Sequence, residues 1–359
     1  MRLRPLIFIS VMIPMSIGML FVMVYLFGDL DNLPVVLERT RWYFFIPVPF
    51  LLPLFYLLHA TRISVALRSI DAPMPPKVAL ATCILSGNMV NAIVPGMGGE
   101  LVQAYFLKRF FHVPMPAVLA SSAYTKVVGL ATNVCLAMVG IWLMPADKGQ
   151  DSSGIFTLSL LLKVSLGGLL AALTVGLVFP GVVRWGASLM RRVFRTTDGA
   201  TNPSRFRSLA AKAADGLERT AGLFSTLRTA GPMTTLKVIG VTLLINSVFS
   251  TCMLLGFLAV GYTPALYLLF LFYSMLTIVL VSAMIILAGI AATELAALAF
   301  WVHLTGLSAS EVLVAMLAVK TWQIFEMATA MVLTFRFLSH LSKDEIKSLL
   351  LRRQTPKTE

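Results

Sequence analysis

Apolar segments of membrane-crossing length follow one another along this chain, at about residues 5–28, 42–60, 77–111, 117–144, 154–180, 233–260, 264–304 and 312–337. A bilayer core of about 30 Å takes about 20 apolar residues per helical crossing, and the hydrocarbon demands that backbone N–H and C=O groups be paired within each segment. The segments are therefore helices. With 58% hydrophobic and 13% charged residues over 359 positions, the chain reads as an all-α polytopic membrane protein, and no room remains for a soluble catalytic domain. The first run, Pro5 to about Gly28, exceeds the roughly 7–15 residues of a signal h-region and lacks a small-residue cleavage site, so it reads as an uncleaved first span.

The segments at 77–111 and 264–304 are each too long for one span and are interrupted near the middle by Pro or Gly. Irregular backbone at membrane depth survives only where it is buried in protein or lines a wet cavity. Both segments are expected to be broken helical hairpins, set among about six full spans. In the first, Asn91-Ala-Ile-Val-Pro95-Gly96-Met-Gly98-Gly99-Glu100, the helix stops before Pro95 and the glycines let the backbone approach the other limb or a ligand. The returning limb starts near Gly98 with unpaired N–H groups and a positive dipole end, a setting that suits an anion such as a phosphate headgroup. The competing reading is that Glu100 satisfies that helix end itself and that the glycines only permit close packing.

The same device recurs 194 residues later, where Gly289 precedes Glu294. Each glutamate is followed 26 residues on by a lysine, Lys126 and Lys320, within an apolar run. From Glu100 to Lys126 only six of 27 positions are identical in the second copy, but both charged positions are among them. Both lysines lie about ten residues into their spans, about 15 Å deep. From that depth snorkelling to the interface is difficult, so Glu100 and Glu294 are their expected partners, in a substrate site or in a purely structural ion pair. Glu326 is a further deep carboxylate, read as a proton-coupling group or as the partner of Gln323 or a lysine. Asn88 and Asn91, one turn apart, line the same cavity as Glu100 or bond between helices.

The net charge of +13 is spread between apolar segments rather than gathered in one patch, which argues against nucleic acid and for anionic membrane lipids. Positive-inside threading puts Arg2 and Arg4, the cluster Arg62, Arg68 and Lys77, the long segment 181–232 and the tail from Lys343 to Lys357 in the cytoplasm. The first hairpin then opens inward and the second outward, an inverted-topology internal repeat. Four regions follow: a first transmembrane repeat over 1–180, a basic cytoplasmic loop with an amphipathic helix over 181–232, a second repeat over 233–337 and a basic tail over 338–359. The histidines His59, His112, His303 and His340 have no metal-ligand spacing, and no metal or cofactor is expected. Cys83, Cys135 and Cys252 lie in apolar segments without CxxC spacing and are read as core packing.

The run Asn91-x-x-x-Pro95-Gly-Met-Gly-Gly-Glu100 through Lys108-Arg109 resembles the N-x-x-x-P-x-x-x-G-E signature of the lysylphosphatidylglycerol synthase transmembrane region, a flippase-like family. Arg62 to Leu67 is similar to that family's basic segment after the second span, and Gly289 to Leu295 resembles its P-G-G-x-G-x-x-E motif. The chain departs from the pattern at Lys126-Val-Val-Gly129, where the family often has Arg-Leu-x-Asp, and in the second motif, which lacks the Pro and two glycines. These departures bear on substrate identity more than on fold. The resemblance implies a bacterial inner-membrane protein with both termini cytoplasmic that moves a phospholipid or a polyprenyl or glycolipid headgroup across the bilayer. Its partner would be a lipid with an anionic headgroup, and a homo-oligomer is left open. The other classes are an intramembrane lipid-modifying enzyme using Glu100 or Glu294 as acid or base and a non-transporting scaffold that binds through the 181–232 loop.

Overall fold

The computed structural model describes residues 32–93, 98–143, 225–227, 231–283 and 297–339, apart from 299 and 303, and among these every regular element is helical. They are α1 (Leu33–Arg39), a 3-10 turn (Trp42–Phe45), α2 (Val48–Arg68), α3 (Lys77–Ile93), α4 (Gly98–Phe111), α5 (Met115–Leu143), α6 (Pro232–Ala259), α7 (Leu266–Ala283) and α8 (Ala309–Ser339). Trp301 and its neighbours are also helical, between α7 and α8. Four of these helices, α2 with its preceding turn, α5, α6 and α8, are long and apolar enough to cross a membrane. The chain is an all-α integral membrane protein. The expected spans at 5–28 and 154–180, most of the 181–232 segment and the tail beyond Ser339 lie outside the described residues.

The first expected hairpin is present as α3 and α4, of 17 and 14 residues, or about 26 and 21 Å at 1.5 Å per residue, short of a full core. The two limbs touch backbone to backbone: a Cβ on Gly87 would lie 2.7 Å from the Gly99 carbonyl oxygen. Gly99 thus serves close approach of the other limb. The α2 span runs to Arg68 rather than to residue 60, because Ile63, Ala66 and Leu67 keep one face buried after the apolar run has ended.

Helix ends are set locally. Asp71 and Gly261 take positive φ (50° and 82°) after α2 and α6, and each is followed by an amide that bonds back five positions, Ala72 to Leu67 (3.1 Å) and Tyr262 to Phe257 (3.0 Å). This is the Schellman closure, and after α6 the expected apolar contact accompanies it, the Phe257 and Tyr262 rings being 5.9 Å apart. Entry to α8 is fixed by a capping box in which the Ser308 amide donates to Glu311 (2.9 Å) and the Glu311 amide to the Ser308 hydroxyl (3.3 Å).

The offset of 194 reappears in the backbone. His112 and Gly306 share a positive φ (57° and 67°), and each is followed at the same distance by the start of a span, Met115 and Ala309. Helix packing follows the same exchange. The α2 and α6 helices pack on each other, α2 on α5 as α6 on α8, α2 on α3 as α6 on α7, α3 on α8 as α7 on α5, and α2 on α8 as α6 on α5. When α2, α3 and α5 are exchanged for α6, α7 and α8, the α2–α6 pair maps onto itself and every other pair in that set onto another.

Small residues let these helices meet closely, as expected where lipid tails compete equally well for apolar side chains. Gly140 faces Leu271 across α5 and α7, and Gly256 faces the Ala315 backbone across α6 and α8. Polar pairs add to this. The Asn246 amide donates to Asn133 Oδ1 at 2.8 Å, between residues only 1% and 4% exposed on α6 and α5. Replacing Asn246 with alanine is expected to cost about 0.5–2 kcal/mol, the measured range for interhelical bonds in bilayers, and the double Asn133→Ala, Asn246→Ala variant to recover part of it. Thermal unfolding in detergent checks both.

Candidate functional site

Glu100 stands in the first turn of α4, where the helix N-terminus favours a carboxylate. Across from it, Lys126 of α5 donates to Glu100 Oε1, so the ion pair expected from spacing is formed. Its two ends differ in setting: the Lys126 side chain is 57% exposed and that of Glu100 11%. Lys126 is 11 residues beyond the start of α5, about 16 Å along the helix. An ammonium that open at such depth is compatible with a wet cleft and costly against lipid tails. Gly98 and Gly99 open the α4 limb beneath this pair, with Gly99 buried against Gly87. Asn91 lies in the last turn of α3. Pro95 and Gly96 lie outside the described residues.

Lys320 stands 11 residues into α8, as Lys126 does in α5. Gly289 and Glu294 lie outside the described residues, and with them the expected Lys320–Glu294 pair.

Glu326 is paired differently from expectation. Its partner is neither Gln323 nor a lysine but Tyr56 of α2, whose hydroxyl donates to Glu326 Oε1. Gln323 is exposed, whereas Tyr56 is 3% exposed and sits where α2, α3 and α8 converge. Asn88 of α3 completes the set by donating to Tyr56 Oη at 2.8 Å. Asn88 therefore makes an interhelical bond, one of its two expected roles. This chain of three groups ties the first hairpin to the last span of the second half. Removing its centre by Tyr56→Phe leaves Glu326 without its hydroxyl donor, and is expected to lower stability by about 1–3 kcal/mol, read as an earlier thermal unfolding midpoint.

Two residues next to this network carry no site role in the sequence reading, which has Arg62 in a cytoplasmic basic cluster and His59 as a histidine without metal-ligand spacing. Arg62, assigned to a basic cluster beyond the end of a span, lies within α2 and reaches α5, where a Cβ on Gly129 would sit 3.0 Å from Arg62 Nη1. His59, one turn earlier, bonds to it, Nδ1 being 3.2 Å from Arg62 Nη2. The signal was the H-x-x-R spacing, which puts both side chains on one helix face. It is hidden because the apolar run stops at Ala60 while the helix continues. Cys83 and Cys252 are buried as expected, but Cys135 is exposed on α5.

A family model described as the lysylphosphatidylglycerol synthase TM region matches residues 7–332. No curated protein and no solved structure matches the chain.

Proposed function

The chain belongs to the lysylphosphatidylglycerol synthase TM region family, and from that premise we propose that it is a flippase-like transporter that moves a lipid headgroup across the bacterial inner membrane. The cargo is a phospholipid or a polyprenyl or glycolipid with an anionic headgroup, and both termini are cytoplasmic. The observation that carries this reading is the Glu100–Lys126 ion pair, held by a broken hairpin at membrane depth with its ammonium more than half exposed.

In this reading the headgroup enters a polar cleft between the two halves while the acyl tails stay in lipid. The Asn91–Glu100 break, with Pro95, Gly96, Gly98 and Gly99, and its counterpart at Gly289 and Glu294 line the cleft, and Lys126 and Lys320 neutralise the phosphate. The exchange of helix pairs between the two halves supports an inverted repeat, and such repeats support alternating access by rocking one half against the other. Glu326 is the proposed coupling group, since its Tyr56 and Asn88 partners belong to the opposite half.

Transbilayer movement of labelled lipids in proteoliposomes tests the proposal. Loss of movement in Glu100→Gln or Lys126→Ala protein that still folds supports it, and unchanged movement in both sinks it.

A further inference from the structure

Two side chains inside the helix bundle hold donors that nothing among the described residues accepts. A guanidinium only donates, so in the Arg62–His59 bond the imidazole Nδ1 is the acceptor, and the neutral ring carries its proton on Nε2. That Nε2 is buried without a hydrogen-bond partner, and so is Arg62 Nε. Among the described residues no carboxylate lies within ion-pair distance of Arg62. Buried donors without acceptors are rare and costly, and a guanidinium with no counter-ion among the described residues adds to that cost.

The surroundings favour an anion. Gly129 leaves the space on α5 into which the guanidinium reaches, and Lys126 stands one turn earlier on the same face of α5. The His59 ring itself is steadied by the Phe55 and Tyr56 rings, at centroid distances of 4.5 and 6.2 Å. Charge balance narrows the ligand further. Lys126 already shares its charge with Glu100, so at the His59 end of the cleft Arg62 brings one further positive charge. A phosphodiester carries one negative charge, whereas a phosphomonoester carries about 1.5 to 2.

We propose that Arg62, backed by His59 and seated against Gly129, is the phosphate-binding subsite for a lipid phosphodiester, in the cleft that also holds Glu100 and Lys126. The assignment rests on the lipid-transport reading for the source of the phosphodiester, and on the Arg62–His59 geometry for the site. Arg62 Nε and a terminal nitrogen offer the parallel donor pair that suits two phosphate oxygens, with His59 Nε2 as a further donor.

The test is native mass spectrometry of purified full-length protein in mixed micelles of phosphatidylglycerol and phosphatidylcholine, with inorganic phosphate as competitor, comparing wild type, Arg62→Gln, Arg62→Lys and Gly129→Ala. Gly129→Ala matters because it keeps the charge and crowds only the guanidinium, so a folding failure of Arg62→Gln leaves the question answerable. Wild type is expected to retain phosphatidylglycerol in preference to phosphatidylcholine. Arg62→Gln should lose about 10- to 100-fold in that preference, the worth of a charge-assisted bidentate bond, with Arg62→Lys and Gly129→Ala in between. Retention unchanged in both Arg62→Gln and Gly129→Ala would overturn the subsite, as would competition by inorganic phosphate at concentrations equal to the lipid. Glutamate-dependent transport that ignores Arg62 would overturn the subsite and leave the transport reading standing. Binding that depends on Arg62 without any transport would do the reverse.

Discussion

Gly256→Ala is expected to be the most damaging single methyl that can be added to the described bundle. A Cβ there would clash with the Ala315 carbonyl oxygen and stand 3.0 Å from the Ala318 Cβ, and the first of these is helix backbone. A flexible side chain can rotate out of the way, but a hydrogen-bonded carbonyl cannot, so α6 and α8 must separate. Phe257, Val312, Leu313 and Ala315 in the same apolar cluster would lose contact with them. Overpacking of a core commonly costs about 1–3 kcal/mol, and a clash with backbone belongs at the top of that range. Gly240, which has nothing within 4 Å of its Cβ position, is the control on the same helix. Gly240→Ala should leave stability unchanged or slightly raised, since alanine is the better helix former by about 1 kcal/mol. Thermal unfolding of the two variants side by side measures the contrast. Equal midpoints would contradict the packing described.

The second large effect concerns the Glu100–Lys126 pair, whose two halves should not be equivalent. Lys126→Ala takes the ammonium from a carboxylate that is 11% exposed, whereas Glu100→Gln takes the carboxylate from an ammonium that is 57% exposed and keeps water. The first change approaches the behaviour of a broken buried pair, about 3 kcal/mol. The second falls nearer the value for surface pairs, about 1 kcal/mol or less. The double variant Glu100→Gln, Lys126→Ala should recover much of the Lys126→Ala loss, because neither charge of the pair then remains. Lipid movement should behave otherwise and be lost in all three, since each lacks a charged group of the cleft. A purely structural ion pair would instead give transport that tracks stability, with the double variant active.

How far the sequence carried this account depends on what each signal measures. Apolar run length and a Pro-Gly break are large, local and additive, and they gave the four long helices and the 77–111 hairpin with boundaries a few residues off. The main boundary error was the C-terminal end of α2, where helix continued past Ala60 on the strength of a buried face rather than an apolar run. That error hid Arg62, since a basic residue after an apolar run looks like a cytoplasmic flank. The spacing of Glu100 and Lys126 in two copies was legible because it repeats. The Glu326–Tyr56–Asn88 chain was not, because its members are 32 and 270 residues apart in sequence and meet only when three helices pack. Pairing between distant polar residues carries no periodicity, so a nearby Gln323 looked as good a partner as a distant tyrosine.

The central claim is transport dependent on the charged hairpin, and one reconstitution tests it most directly. Purified protein is placed in liposomes carrying fluorescent anionic and zwitterionic phospholipids and a polyprenyl-phosphate sugar, and leaflet accessibility is followed over time, wild type beside Glu100→Gln. The account predicts that wild type equilibrates one anionic lipid class between leaflets and that Glu100→Gln does so at least about tenfold more slowly, the rate equivalent of about 1.4 kcal/mol. Movement of no lipid by folded wild type, or equal movement by wild type and variant, would contradict it.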